Sequence, residues 1–488
     1  MEHTAGKIGH CCVDTIQDRD FEDDIMIKRR AFLGTLCLVF AFTGAVIAQD
    51  DAIWQAGVAK VNITPTRFMP MSGYASRGAE HAEEKLTDLW AKALVLQDAD
   101  GRRALLVTFD IIGLDRELSL SICDALQKQH NLRRDQIALC ASHTHTGPVV
   151  AKNLRPMHYM LLNEADRQLV DDYAKFVEEQ IVAAAAAAIE NLAPSALAWG
   201  SGTATFAVNR RNNPAAQVPQ LREQGKLRGP YDHDVPVLAV RDESGKLKAV
   251  VFGYACHCTV LSSLQWSGDY AGFAQMEVEG RHPGCVGLFW AGCGGDQNPL
   301  PRRQVELARD YGRQLGNAVS SVLAGETRPV SPTLKTTHRE IDLALAELPT
   351  HEQLEQDTQS TNKYVAARAT HLLRQVAAGQ PLSQTYPYPI GLWRIGGHVA
   401  FVFLGGEVTV EYPLRLKKEM GEDDLQGTNV WVAGYANDVM AYIPSLRVLN
   451  EGGYEGASAM VYYGLPTTWT EDVEEAVIGE VRRQMTAE

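Results

Sequence analysis

The stretch that decides the expected fold is residues 104–147, which read ALLVTFDIIGLDRELSLSICDALQKQHNLRRDQIALCASHTHTG. An apolar run over 104–109 ends at Asp110, a segment with helical spacing follows, and a second apolar run over 137–140 ends in SHTHTG. A crossover of this length predicts two parallel strands joined by a helix. Because ligand sites in open α/β sheets gather at the carboxyl ends of strands, Asp110 and His143 are expected at one functional edge.

The same pattern of an apolar run followed by polar groups recurs downstream. The run over 249–255 leads into His257, and the run over 399–404 leads into Gly-Gly-Glu, which ends at Glu407. Residues 165–190 have the composition of a long helix. The sequence therefore predicts an α/β fold with a mixed β-sheet core flanked by helices, and an active site at the carboxyl ends of the strands.

The composition limits the class of protein. The chain has 488 residues, of which 45% are hydrophobic and 22% charged, which is enough to bury a large core and is unlike a disordered chain. The formal net charge of −14 argues against a nucleic-acid partner. No repeat or low-complexity linker divides residues 49–488, so we expect them to form one catalytic domain.

The segment 28–48 reads KRRAFLGTLCLVFAFTGAVIA and has the layout of a secretory signal, with a basic start, an apolar middle and small residues at its end. Its arginine pair is typical of a twin-arginine export signal. We therefore predict residues 1–48 to be a cleaved leader and the protein to be periplasmic or secreted; an uncleaved membrane anchor is the alternative. Residues 1–25 are acidic and unusual before a signal, so Met26 is an alternative start.

Six cysteines follow the predicted leader, and in an exported protein they permit disulfides. Several pairings are possible and the sequence assigns none of them. Cys285 with Cys293 is the favoured local pair, on their proximity in sequence alone.

Histidines supply the sharpest chemical signal. In the segment His143-Thr144-His145, residues two apart on extended backbone point to the same side, and two neutral imidazoles suit zinc. The alternative is one structural and one exposed histidine. His257 lies between two cysteines, so a third imidazole or a thiolate zinc site is conceivable there, and Glu407 lies in a glycine turn that can aim its carboxylate.

Taken together, these segments resemble the N-terminal domain of the neutral/alkaline non-lysosomal ceramidases, which are zinc amidases that hydrolyse ceramide to sphingosine and a fatty acid. The specific matches are ASHTHTGP and two tyrosine-bearing segments near the end of the chain. In chain order the matching segments are AGVAKVNITP, MSGYA, DLWAKALVL, VTFDIIG, ASHTHTGP, VNRR, GYACHCTVL with SGDYAG, GGEVT, GYANDVMAYIPS and GGYEGAS.

The resemblance implies one zinc ion per chain and a set of residues that act around it. Its implied zinc ligands are His143, His257, Glu407 and Tyr442. Its implied catalytic residues are His145, Tyr454, Arg210 and Asn298.

The chain departs from the family pattern at three places. Asn298 stands where the family has a serine, and an amide can hydrogen-bond a substrate but supplies no hydroxyl nucleophile. The segment NRRNNP makes Arg211 a competitor of Arg210 for the family's arginine. Few residues follow Tyr454, so we expect no C-terminal immunoglobulin-like domain.

The leading functional hypothesis is an exported zinc-dependent hydrolase that cleaves the amide bond of ceramide or of another N-acyl compound. The substrate is then a small molecule or a lipid, which a membrane can present. Alternatives are a zinc hydrolase of another ester or amide, and a non-catalytic extracytoplasmic binding protein on the same scaffold. The sequence leaves the oligomeric state open.

Overall fold

The computed structural model describes residues 53–422 and 429–486. The predicted leader, residues 1–48, lies outside the described residues, so its assignment stays a prediction. None of the helices within the described segments is both long enough and apolar enough to cross a bilayer.

Nineteen strands lie in the described part of the chain. In chain order, β1–β19 are Trp54–Asn62, Glu84–Lys85, Trp90–Gln97, Arg103–Phe109, Ile137–Ala141, Ala193–Thr203, Ala207–Asn209, Asp234–Asp242, Leu247–Tyr254, Gln265–Trp266, Val286–Ala291, Gln297–Pro299, Arg328–Pro329, Leu334–Ala344, Thr385–Ile395, Val399–Leu404, Glu407–Val408, Asn429–Ala433 and Tyr442–Ile443.

Eleven α-helices accompany these strands in the same described segments. In chain order, α1–α11 are Arg116–His130, Glu164–Glu190, Val218–Glu223, Asp269–Arg281, Val305–Ala324, His351–Asp357, Lys363–Ala377, Glu411–Glu422, Leu446–Glu451, Met460–Tyr463 and Val473–Thr486. One π-helical turn, Tyr454–Ser458, precedes α10.

The predicted strand–helix–strand unit is present as β4, α1 and β5, and its two strands are parallel. Local chemistry fixes the helix between them. The Asp115 carboxylate caps its first turn by accepting a hydrogen bond from the Leu118 N–H, and Asn131 ends it in the left-handed conformation that asparagine tolerates. The Asp115 cap and the spacing of apolar residues therefore account for this unit without reference to the rest of the fold.

Two mixed sheets form the centre of the molecule. The larger runs in the order β11-β9-β8-β6-β1-β3-β4-β5, with β13 paired to β6, and it is parallel only at β9/β11 and β4/β5. The smaller runs in the order β14-β15-β16-β18, with a parallel β16/β18 pair. The predicted mixed-sheet α/β fold is confirmed.

The two sheets pack face to face between outer layers of helices, and the alternation of side chains along each strand explains why. On β3, Leu94 and Leu96 face the second sheet, whereas Ala93 and Val95 face α1, α2, α4 and α5. On β16, Phe401 and Phe403 face the large sheet, whereas Val402 between them packs against α8 and α11. The layers are helix, sheet, sheet and helix.

The six cysteines of the described segments are buried free thiols. The suggested pairing of Cys285 with Cys293 is wrong, because β11 separates them and holds their side chains at its opposite ends. The Cys293 thiol donates instead toward the Val432 carbonyl in the neighbouring sheet.

Candidate metal centre

Four loops at the ends of strands converge on one buried point. His143 follows β5, His257 follows β9, and Glu407 begins β17 shortly after β16. A bridge between Thr144 and Cys258 holds the first two loops side by side. The parallel pair β17/β19 sets Glu407 directly opposite Tyr442. The four side chains that the resemblance implies as zinc ligands therefore lie together.

The distances within this group are those between ligands of one small cation. The Oε2 atom of Glu407 lies 2.9 Å from His257 Nε2 and 3.2 Å from His143 Nε2. The Tyr442 hydroxyl oxygen lies 3.4 Å from His257 Nε2. Tetrahedral ligands at zinc bond lengths are roughly 3.3–3.5 Å apart. His145 is also close, with its Nε2 atom 3.2 Å from His143 Nε2, and the three histidines form a group that could bind a metal.

The tautomers of the two buried histidines are set by backbone carbonyls. Nδ1 of His143 lies 2.6 Å from the Ile112 carbonyl oxygen, and Nδ1 of His257 lies 2.6 Å from the Gly294 carbonyl oxygen. A carbonyl only accepts, so each Nδ1 carries the hydrogen and each neutral Nε2 presents a lone pair. Burial, followed by the nearby Arg210 charge, lowers the pKa of His257 to about 4, so its ring is neutral near pH 7.

These lone pairs face a carboxylate, an arrangement that repels unless a cation lies between the groups. The Tyr463 hydroxyl donates to the other carboxylate oxygen of Glu407. Two imidazole nitrogens and an ionised carboxylate are the donor set that fits a divalent cation.

Two glycines allow the backbone to approach this site closely. Gly73 has φ +96°, and a Cβ there would lie 2.5 Å from the ring of His145. Gly406 has φ +74°, and a Cβ there would lie 2.6 Å from the Ala441 carbonyl oxygen. Only glycine meets both the conformational and the spatial requirement at these positions, which gives a physical reason for the MSGYA and GGE segments.

His145 borders the ligand group and is only partly buried. Its ring packs against Tyr74 with centroids 4.8 Å apart, and Arg77 donates to its backbone carbonyl at 2.9 Å. Its buried Nδ1 has no hydrogen-bond partner among the described residues. Burial, together with His143 and His257, holds the pKa of His145 well below its ordinary value. The ring is therefore a neutral base next to the candidate metal position.

The pairing of β7 with β12 brings Arg210 to Asn298. Arg210 donates to the Tyr442 hydroxyl at 3.1 Å, to Asn298 Oδ1 at 3.3 Å and to Glu455 at 2.7 Å. Arg211 also donates to Glu455, but its other side-chain partner is Glu451 and it makes no bond to Tyr442 or Asn298. Of the two candidate arginines, Arg210 is the one that faces the site.

Tyr454 lies at the rim of the site and is 44% exposed. Its ring centroid is 5.4 Å from that of Tyr442, and the Arg210 guanidinium lies 5.8 Å from both rings. The left-handed Gly452 and Gly453 precede it and turn the chain back toward the site. Tyr454 is thus close to, but outside, the candidate ligand group.

The thiols of Cys256 and Cys258 do not take part in the ligand group. Both thiols lie instead in the apolar cluster that contains Tyr254 and Tyr270. Burial raises the pKa of both thiols well above the ordinary value. A thiolate zinc site at this segment is therefore excluded by geometry.

Three contacts of the site were not anticipated from the sequence. Tyr463 bonds Glu407, Tyr435 lies against His143 with ring centroids 4.2 Å apart, and Glu455 links both arginines. Local sequence carries no signal for any of them, since two are tyrosines among other aromatic residues and one is a lone glutamate. Only the folded contacts reveal them.

Comparisons with known proteins agree with the expected resemblance. Residues 54–286 match the family described as "Neutral/alkaline non-lysosomal ceramidase, N-terminal". Neutral ceramidase A of Dictyostelium discoideum is 24% identical over 235 residues, covering 46% of this chain and 32% of that protein. Neutral ceramidase B of the same organism is 25% identical over 279 residues, covering 53% and 37%. The chain thus spans about a third of the length of these curated relatives.

Solved structures confirm the fold. The crystal structure of neutral ceramidase from Pseudomonas aeruginosa superposes with a TM-score of 0.67 at 20% identity, covering 88% of this chain and 74% of that one. A structure described as ceramidase complexed with C2 gives the same TM-score and coverage at 18% identity. At these identities the likeness extends to the arrangement of strands and helices.

Proposed function

Because residues 54–286, just under half of the chain, match the model of the neutral/alkaline non-lysosomal ceramidase family, we propose that the chain is a member of this family and a zinc-dependent hydrolase of an N-acyl amide bond. The observation that carries the proposal is the convergence of His143, His257, Glu407 and Tyr442 on one buried point, with Arg210 alongside. Its products are a carboxylic acid and an amine.

The four converging side chains would hold the metal. The carbonyl-anchored rings of His143 and His257 keep their Nε2 lone pairs aimed at it, and Glu407 supplies the negative charge. The Tyr442 hydroxyl supplies the fourth oxygen. When bound in such a site, zinc acts as a Lewis acid and lowers the pKa of water toward neutrality.

His145 would move the proton. Its ring is neutral, lies beside the ligand group and has an unbonded Nδ1 among the described residues. It can therefore accept a proton from the attacking water and donate it to the leaving nitrogen. Its packing on Tyr74 and the Arg77 bond to its carbonyl fix its position during both transfers.

Arg210, Tyr454 and Asn298 would stabilise the negative charge that develops on the acyl oxygen. Arg210 places a guanidinium beside Tyr442, and the Tyr454 hydroxyl is free among the described residues to donate. Asn298 accepts bonds from Arg210 and Thr259 through its oxygen, which leaves its N–H groups to donate to the substrate.

The test uses the full exported chain with zinc content and hydrolysis measured together. We expect tightly bound zinc, cleavage of N-acylsphingosine or a related amide, and loss of both activity and metal in His143→Ala and His257→Ala. His351→Ala, which removes an imidazole from the exposed end of α6, is the matched control and should behave as wild type. Undiminished hydrolysis in the double variant would refute the proposal.

A panel of N-acyl and O-acyl substrates separates the alternatives. Preferential cleavage of O-acyl compounds would identify an esterase on the same site, and zinc binding without any hydrolysis would identify a binding protein. Amide cleavage at least tenfold faster than ester cleavage of a matched acyl chain supports the proposal.

Export is also part of the proposal, because the segment 28–48 has the layout of a twin-arginine signal. Mass spectrometry of the protein purified from the extracytoplasmic fraction should show a chain that starts near residue 49. Exclusive recovery of the uncleaved chain from the cytoplasm would contradict it.

A further inference from the structure

A polar cleft opens next to the candidate catalytic residues. It has a volume of about 600 Å³ and reaches Arg210, Asn298 and Tyr454. Seven of its eleven lining residues carry a charge or an amide, which is unlike the wall of a site for a hydrocarbon chain. The part of a substrate that enters this cleft is therefore polar.

The charges that line the cleft do not balance. Three arginines face two glutamates. Arg210 and Arg211 are both paired with Glu455, and Arg211 is paired with Glu451 as well. Among the described residues no carboxylate pairs with Arg302, so its guanidinium is the charge left over.

Arg302 also lies among other cations. It is half-buried, and burial together with Arg303 and Arg210 lowers the pKa of its guanidinium, which nevertheless stays charged near pH 7. The protein has a net charge of −14, so a half-buried arginine close to two other arginines stands out against the rest of its charge. An anion in the cleft would relieve this repulsion and would be held by a charge-assisted hydrogen bond.

The position of Arg302 relates this charge to one half of the substrate. Arg303, the next residue along the chain, donates to the Tyr74 hydroxyl group at 2.8 Å. The Tyr74 ring in turn packs on His145. In the proposed function His145 protonates the leaving nitrogen, so Arg302 lies on the side of the amine half.

On the premise of the proposed function, we infer that the substrate is an N-acyl compound whose amine half carries an anionic group, such as the carboxylate of an N-acyl amino acid. Arg302 is the residue that binds this group and sets the specificity. The amine product is then an amino acid or a similar anionic amine, in place of a neutral amino alcohol.

The test compares two amides that share an acyl chain, N-lauroylglycine and N-lauroylethanolamine, in the zinc-loaded enzyme. We expect kcat/KM to favour N-lauroylglycine, and Arg302→Gln to lower it by about tenfold to a hundredfold for that compound, chiefly through KM. The same variant should leave the neutral amide within about twofold, and Arg302→Lys should retain part of the preference. Arg313→Gln removes an exposed, paired arginine outside the cleft and is the control for net charge.

A binding measurement keeps this inference separate from the proposed function. Calorimetry of N-lauroylglycine with metal-free protein should show weaker binding to Arg302→Gln than to wild type, whether or not the amide is cleaved. Equal binding of N-lauroylglycine to both proteins would overturn the inference. So would a neutral amide that is cleaved faster than N-lauroylglycine and is slowed by Arg302→Gln to the same extent. If no amide is hydrolysed, the proposed function is refuted, and the binding result alone decides whether Arg302 binds an anionic group.

Discussion

His143 and His257 each donate an Nδ1 hydrogen to a backbone carbonyl, and this single choice of partner makes the site. It fixes both tautomers without a carboxylate, so Glu407 is left free to face the metal position directly. At the scale of single residues, the chemistry therefore depends on the hydrogen-bond partners that orient the ligand side chains.

The Tyr463 hydroxyl is one such contact, and its removal is a direct test. In Tyr463→Phe, Glu407 loses the donor to its outer oxygen, and we expect zinc affinity to fall about tenfold to a hundredfold. Competition against a chelator of known affinity measures the change. Tyr462→Phe removes a neighbouring hydroxyl that makes no bond to the ligand group and should bind zinc as wild type. Equal affinities in all three proteins would show that Tyr463 has no influence on the metal.

The sequence predicts the donors of this site better than their surroundings. His143, His257, Glu407 and Tyr442 follow from the resemblance, and the structure brings all four together. The partners that orient them, such as the Gly294 carbonyl and Tyr463, are brought in by folding from positions without a local pattern. The proposed role of Arg302 could not be predicted from the sequence for the same reason. It rests on the lack of an ion-pair partner among the described residues, which only the folded structure shows.

Strand ends are the elements that assemble the centre. The parallel register of β17 and β19 sets Glu407 opposite Tyr442, and the bridge from Thr144 to Cys258 joins the histidine loops. The unit β4-α1-β5 was predictable because its pattern is local in sequence. The packing of a second sheet on the first was not, since alternation shows that a strand has two buried faces but not which element covers each one.

The loop between β18 and β19 contains a buried carboxyl group, that of Asp438, whose pKa is shifted. Burial raises the pKa of Asp438 to about 7, and the Tyr386 hydroxyl donates to one of its oxygens at 2.6 Å. Since the unfolded carboxyl has a pKa of about 3.9, the native state holds a proton that the unfolded state releases. The stability contributed by this group therefore falls as the pH rises from about 4 through about 7.

The variant Asp438→Asn keeps an oxygen for Tyr386 and cannot ionise. We expect it to be more stable relative to wild type at pH 8 than at pH 5, by on the order of 2–3 kcal/mol in the free energy of unfolding. Urea unfolding at the two pH values measures this difference. Asp310→Asn, at an exposed position, should show no such dependence. An identical effect of Asp438→Asn at both pH values would contradict the raised pKa.

At the scale of the whole molecule, two sheets packed face to face hold the loops of the centre in place. The large sheet supplies His143 and His257, and the second sheet supplies Glu407 from the end of β16. Aromatic residues such as Trp290 and Phe401, with ring centroids 4.9 Å apart, fill this interface. The candidate metal centre is thus assembled across the two sheets.

This core is held without disulfides between described residues, which leads to a prediction about redox conditions. Burial raises the pKa of the thiols, for example that of Cys285 to about 12, so they should be unreactive in the native protein. In a chain that begins at residue 49, we expect a reductant to leave Tm unchanged and six thiols to titrate after unfolding. Fewer than six thiols in denaturant without reductant would reveal a disulfide.

X-ray absorption at the zinc edge, combined with metal analysis of the purified protein, tests the central claim most directly. We predict one zinc per chain with nitrogen and oxygen neighbours at roughly 2.0–2.2 Å, and loss of that signal in His257→Ala. A shell of sulfur near roughly 2.3 Å, or a protein that purifies and acts without zinc, would contradict it.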